Sequence, residues 1–248
     1  MKILVCISHV PDTTSKINFT DNDSKFDSNG VQYVINPYDE FALTRAMWFK
    51  EKQGASVTVA NVGTAATEPT LRKALAIGAD DAIRVNCEPT DGLAVAKELA
   101  EVIKNGNYNL VLAGKESIDY NGGMVPGMIG ALLDFNFVNG CIGLDIEGEK
   151  ATISREIDGG KELLSSNLPL IIAGQKGLVE EKDLRIPNMR GIMMARKKPL
   201  NVVEPINSKP ATNIASYEKP AAKSACKLVD ADNVAELVSL LHNEAKVI

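Results

Sequence analysis

The chain has 248 residues, 45% hydrophobic and 24% charged, a balance that suits a globular protein able to bury its core without disulfides. Its formal net charge of −5, from 27 Lys and Arg against 32 Asp and Glu, argues against nucleic acid as a ligand, because neutralising phosphates needs a basic surface. The apolar run after Met1 is too short for a signal peptide, and no stretch reaches the length that spans a bilayer.

Residues 2–8 form a near-continuous apolar run, the pattern of a strand buried on both faces of a parallel sheet. A helix is predicted next. Asn36 can cap it, Pro37 suits its first turn, and Asp39 and Glu40 meet the positive end of its dipole. Ala42, Leu43, Ala46, Met47 and Phe49 give it an apolar face, Lys50 and Lys52 fall in its last turn, and Gly54 ends it. Residues 56–62 repeat the buried-strand pattern, 67–78 read as a second helix stopped by Gly78, and 81–85 as a short strand. A third helix over 91–104 and a further buried strand over 109–114 follow. Strands alternating with helices predict an α/β fold, a Rossmann-like doubly wound sheet that is mostly parallel.

The pattern then changes. Residues 143–146 and 151–154, around a turn at Glu147-Gly148-Glu149, predict a β-hairpin appended to the sheet. Residues 168–173 predict another buried strand, with Pro169 placed before pairing begins. From about Val202 to Ala225, Pro205, Pro210 and Pro220 stand among Ser, Asn, Lys and Ala, the composition of an extended arm. Residues 230–245 predict a terminal helix with Val234, Leu237, Val238 and Leu241 in one apolar stripe. The chain thus divides into an α/β domain over 1–201 and an arm with its helix over 202–248. The stripe has to be buried, either on its own domain or on a partner subunit.

Most catalytic signatures are missing: there is no GxxxxGK[ST], no GxGxxG after a strand, no GxSxG and no HExxH. The four cysteines (Cys6, Cys87, Cys141, Cys226) are scattered without a CxxC pair, which fits a reduced, cytoplasmic protein, or a matrix protein after loss of a presequence. His9 and His242 have no nucleophile nearby in the pattern, so His9 reads as a loop histidine. What remains is a set of strand ends, where open α/β sheets bind ligands. They are Ser8-His9-Val10-Pro11-Asp12, Asn61-Val62-Gly63-Thr64 and Gly114-Lys115-Glu116-Ser117-Ile118-Asp119. The last runs into Tyr120-Asn121-Gly122-Gly123-Met124-Val125-Pro126-Gly127 and an apolar helix. Glycines ahead of a helix free backbone N–H groups to approach an anion, and the helix N-terminus adds positive potential. The loop is therefore a candidate phosphate site, although such loops also serve as ordinary turns.

The segment Ile153-Ser154-Arg155-Glu156-Ile157-Asp158-Gly159-Gly160-Lys161-Glu162-Leu163-Leu164, followed by Pro169-Leu170-Ile171-Ile172-Ala173, carries more. A plain hairpin explains its shape but not this combination of residues, which resembles the beta subunit of electron-transfer flavoproteins and the related nitrogen-fixation-associated subunits. Val10-Pro11-Asp12-Thr13, Asn36-Pro37-Tyr38-Asp39, Ala74-Leu75-Ala76-Ile77-Gly78-Ala79-Asp80 and Gly114-Lys115-Glu116-Ser117-Ile118-Asp119 are similar to the same family. So is Ile186-Pro187-Asn188-Met189-Arg190-Gly191-Ile192-Met193-Met194-Ala195-Arg196-Lys197-Lys198, which resembles its partner-recognition loop. The resemblance covers nearly the whole chain.

What the resemblance implies is an adenine-nucleotide-hydrolase-like fold and a heterodimer with a larger alpha subunit, which holds most of a redox-active FAD. The beta subunit would bury a structural AMP, or in electron-bifurcating relatives a second FAD. Electrons would arrive from flavin dehydrogenases such as acyl-CoA dehydrogenases and leave to a membrane quinone oxidoreductase or another acceptor. Such a subunit is an electron carrier without catalytic residues of its own; separately, the scattered cysteines with no histidine cluster nearby give no metal site. Carried over by position, the nucleotide site would comprise Cys6, Asn36, Pro37, Tyr38, Asp39, Val62, Gly114, Asp119, Tyr120, Asn121, Gly122, Gly123, Met124 and Val125. Tyr38 and Thr13 match positions facing the alpha-bound flavin. Ile186, Pro187 and Met189 would dock dehydrogenases. Plainer roles stand beside these: Asn36 as a helix cap, Tyr38 as a structural ring, and residues 186–189 as a loop packed on the body.

Two positions depart from the family pattern. Ser8 stands where Lys is usual, and Met124 where Gln is usual. Losing that amide removes a hydrogen-bonding side chain from the loop, although backbone N–H groups could still hold a phosphate. A different nucleotide, or none, is the alternative at that point. Two other function classes compete. An adenylating enzyme would need an SGGxDS-like loop after the first strand, and Ser8-His9-Val10-Pro11 supplies none. A non-redox nucleotide-binding sensor would not need the recognition-type loop or the arm with its helix.

Overall fold

One nine-stranded sheet organises the computed structural model, which describes residues 1–223 and 225–248. The chain opens with β1 (Lys2–Cys6), buried from Ile3 onward. It continues through β2 (His9–Pro11), a two-residue hairpin of β3 (Phe19–Thr20) and β4 (Lys25–Phe26), and β5 (Tyr33–Ile35), which returns antiparallel to β2. Helix α1 (Pro37–Gln53) ends at Gly54, whose φ of 65° is the left-handed conformation that glycine adopts without strain.

Three alternating crossovers follow. Strand β6 (Ser56–Val62) leads through a short 3-10 turn to α2 (Glu68–Ile77), then β7 (Asp81–Val85), α3 (Gly92–Gly106), β8 (Leu110–Gly114) and α4 (Val125–Leu133). Asp91 caps α3 by accepting the Ala94 N–H at 2.7 Å.

The remaining strands are β9 (Asn136–Glu147), β10 (Lys150–Ile157), β11 (Gly160–Asn167) and β12 (Leu170–Gly174), followed by α5 (Met189–Ala195) and β13 (Leu200–Val203). Their order across the sheet is β11-β10-β9-β12-β8-β1-β6-β7-β13. All pairings are parallel except β9–β10 and β10–β11. The appended hairpin therefore gains a third strand, because the segment after Gly159-Gly160 pairs with β10 along its full length. Since β9 lies parallel to β12, this meander extends the main sheet.

Strand β1 sits at the centre of the seven parallel strands, β9 to β13 in that order. Two crossovers carry the chain outward to β6 and β7, and the next returns it to the other flank of β1 as β8. The topological switch point therefore lies between β1 and β8, where ligands of such sheets are found. Residues of α1 and α2 pack on one face of the sheet, and residues of α3 and α4 on the other.

The arm leaves the sheet after Val203. Its terminal helix is shorter than the predicted span: α6 (Val234–Leu240) is followed by a π-helical turn at Leu241–Ala245. Residues 230–233 are used in a turn instead, closed by the Asn233 N–H on the Asp230 carbonyl at 3.0 Å, and Asn233 caps α6 through the Glu236 N–H. Val234, Leu237 and Val238 are exposed, so the stripe is not buried on its own domain.

Candidate functional site

At the switch point, two buried residues of the α1 entrance hold three chain segments together. The Asp39 carboxylate accepts the Ser8 N–H at 2.7 Å with one oxygen and the Gly114 N–H at 2.8 Å with the other. Asn36 donates to the Glu116 carbonyl at 2.8 Å and accepts the Ile118 N–H at 3.3 Å. Its side chain makes no capping bond, so its work is to tie the loop after β8 to the start of α1. Gly114 permits this approach. A Cβ there would lie 2.5 Å from an Asp39 carboxylate oxygen and 2.9 Å from the Tyr38 carbonyl carbon. Burial pushes the Asp39 carboxyl up to about 6, against the lowering effect of its backbone and side-chain hydrogen bonds.

The glycine loop lies just beyond. A bridge closes it between Ser117 and Gly122, with the Ser117 N–H on the Gly122 carbonyl at 3.1 Å, and Asn121 takes a left-handed φ of 50°. Asp119 accepts from the Ser117 hydroxyl and from the Tyr120 N–H. Val125 opens α4, whose start carries no side-chain cap. Tyr120 and Met124 are exposed. Cys6, Val62 and Val125 belong to the cluster on the α3/α4 face, whereas Asn36 and Asp39 reach the site from α1. The expected residues therefore surround the carboxyl ends of β1, β6 and β8. Burial, then the Asp39 charge, pushes the Cys6 thiol up to about 12, which keeps it a neutral packing group.

Thr13, Pro37, Tyr38 and Ile118 line a separate cleft of about 480 Å³, together with Phe41, Lys176 and Leu184. Tyr38 thus faces this cleft while its neighbour Asp39 points into the sheet. His9 stacks on Tyr33, with ring centroids 4.2 Å apart, and its Nδ1 lies 2.8 Å from the Thr70 hydroxyl. That setting is structural.

Residues 186–189 stand apart from both. The Arg185 N–H bonds the Thr44 hydroxyl at 3.2 Å, and Gly191 lies tight against the Ala76 carbonyl. The side chains of Ile186 and Met189 are nevertheless 84% and 75% exposed, while Pro187 is half-buried. The backbone is packed on the body and the apolar groups point away from it.

Sequence reading missed Tyr217. It lies in the arm, and its hydroxyl meets that of Tyr120 at 3.2 Å across 97 positions of sequence. It also missed Arg84, buried at the end of β7, which donates to the Gly63 carbonyl at 2.9 Å and so fixes the turn after β6. A charged residue inside a short strand pattern was the available signal for Arg84; nothing local marks Tyr217.

Comparison with known proteins decides the family. The electron transfer flavoprotein domain matches residues 23–208. The electron transfer flavoprotein subunit beta of Bacillus subtilis (strain 168) is 34% identical over the full length of both chains. This chain belongs to the electron transfer flavoprotein family. The corresponding beta subunit of Syntrophomonas wolfei is 35% identical, over all of this chain and 98% of the relative. The human one is 31% identical over 91% of each. Membership in the electron transfer flavoprotein family makes electron transport its field and a flavin the group concerned, and the beta-subunit relatives point to an alpha partner. A similar protein from rice is named mitochondrial. Among the described residues, no helix is long and apolar enough to cross a membrane.

Proposed function

We propose that this chain is the beta half of a heterodimeric electron transfer flavoprotein, binding AMP at the glycine loop and completing the FAD site of an alpha subunit. The observation that carries the reading is the junction of Asn36 and Asp39 with Ser8, Gly114 and residues 116–118, which fixes the loop at the switch point. The residues fit a nucleotide phosphate. Gly123 has its backbone close to the Lys115 carbonyl, where a Cβ would sit at 3.1 Å, and the α4 N-terminus lacks a side-chain cap. Cys6, Val62 and Val125 supply apolar surface beside it. Pro37 and Tyr38 open the neighbouring cleft, and with Thr13 they would form this chain's wall against the alpha-bound FAD.

FAD, when bound, supplies the electron acceptance and release; the chain's residues orient it and exclude water. Asp39 acts by holding two backbone amides in place rather than by exchanging protons with a substrate. Ile186 and Met189, apolar and exposed on a pinned backbone, would dock flavin dehydrogenases such as acyl-CoA dehydrogenases, from which electrons would pass to a quinone oxidoreductase or another acceptor. The exposed stripe of α6 would be covered by the alpha subunit.

Co-expression with an alpha subunit tests this. The expected product is a yellow heterodimer that releases one FAD and one AMP on denaturation. Two FAD and no AMP would replace the simple carrier with a bifurcating one. A colourless chain that never associates would overturn the reading.

A further inference from the structure

The arm forms a strap over the α3 side of the molecule. Glu98, 4% exposed, accepts the Ile206 N–H at 2.9 Å and the Ser208 N–H at 3.0 Å. Asp91 caps α3 with one oxygen and with the other accepts the N–H groups of Ala211 at 2.6 Å and Thr212 at 2.8 Å. The strap then reaches Tyr217, which makes three attachments. Its N–H donates to the Asp23 carbonyl at 2.7 Å, its ring stacks on Phe19 with centroids 4.7 Å apart, and its hydroxyl shares a hydrogen bond with Tyr120 at 3.2 Å. Lys219 extends the attachment to Asn18 at 2.8 Å.

Tyr120 belongs to the glycine loop. That loop contains Asn121 in a left-handed conformation and two consecutive glycines, so its backbone has much freedom to lose on ordering. The Ser117–Gly122 bridge closes its base. Tyr217 holds the loop from the arm, through the Tyr120 hydroxyl.

We propose that Tyr217 is a positioning residue: the strap clasps the glycine loop through Tyr120 and thereby sets how fast a nucleotide held there leaves. This rests on the nucleotide reading of the loop. Linkage makes the effect reciprocal, because a ligand that favours the closed loop favours the seated strap to the same extent.

The test compares wild type, Tyr217→Phe, Tyr120→Phe and the double variant as full-length chains in the heterodimer. Tyr217→Phe keeps the ring on Phe19 and removes only the hydroxyl, so the fold is left intact. The first measurement is hydrogen exchange over residues 117–124 and 205–219. The second is release of bound 1,N6-ethenoadenosine monophosphate on dilution into excess AMP. Each single variant is expected to speed loop exchange and probe release about threefold to fivefold, the scale of one neutral hydrogen bond. The double variant should add nothing, because both changes remove the same bond. Unchanged exchange in the single variants would overturn the proposal, and so would faster exchange with unchanged release. Faster exchange in a protein whose wild type binds no probe would keep the clasp and overturn the nucleotide reading instead.

Discussion

Asp39 is a carboxyl group 3% exposed, with its two oxygens on the N–H groups of Ser8 and Gly114. Burial raises it from 3.8 to about 6 in the folded chain. A raised carboxyl binds its proton more tightly folded than unfolded, so the stability it contributes is fully present below pH 3.8 and is lost as pH rises through about 6. The span is roughly two pH units, or about 3 kcal/mol at 1.36 kcal/mol per unit. Asp39→Asn removes the ionisation. It also turns one amide hydrogen pair toward an N–H that needs an acceptor, a cost of about 1–3 kcal/mol that does not vary with pH. Urea unfolding followed through Trp48, the single tryptophan, should therefore show the wild type losing about 3 kcal/mol relative to Asp39→Asn between about pH 4 and pH 6.5, with a flat difference above. Curves for the two proteins that run parallel within about 1 kcal/mol across that range would refute the reasoning.

Three further outcomes follow from the geometry. Gly114→Ala places its Cβ 2.5 Å from Asp39, 2.6 Å from the Tyr38 Cβ and 2.9 Å from the Tyr38 carbonyl carbon, so it should cost about 3 kcal/mol in a urea melt and weaken nucleotide retention. Replacing Leu237 and Val238 by Glu leaves the body's melting unchanged, because both are exposed; size-exclusion chromatography with the alpha subunit should show heterodimer lost. Ile186→Glu with Met189→Glu should likewise spare stability but slow reduction by a flavin dehydrogenase at least tenfold in a stopped-flow assay, as expected for apolar anchors of an interface.

Much of the architecture was legible because it is written in short windows. The buried runs at residues 2–8, 56–62 and 109–114 became adjacent central strands, and the Pro37, Lys50 and Gly54 signals bounded α1. The glycines after Gly114 marked the loop at the strand ends. Local signals fail where one sequence pattern allows several tertiary uses. Asn36 has the chemistry of a helix cap, yet its side chain spends its bonds on Glu116 and Ile118, 80 and 82 positions away. The stripe of α6 fixed only that a surface was needed, and the exposure of Leu237 and Val238 showed that the chain's own domain does not provide it.

The sequence alone therefore determined the alternation of strands and helices, the lack of the familiar catalytic motifs and the resemblance to a flavin-carrier subunit, since each depends on residue type and near-neighbour spacing. The tertiary structure decided which strand ends meet, that Asp39 joins β1 to β8, and that Tyr217 lies against Tyr120. Those pairings rest on strand order and on the path of the arm, which are set by packing between segments far apart in the chain. No window of the sequence contains both partners.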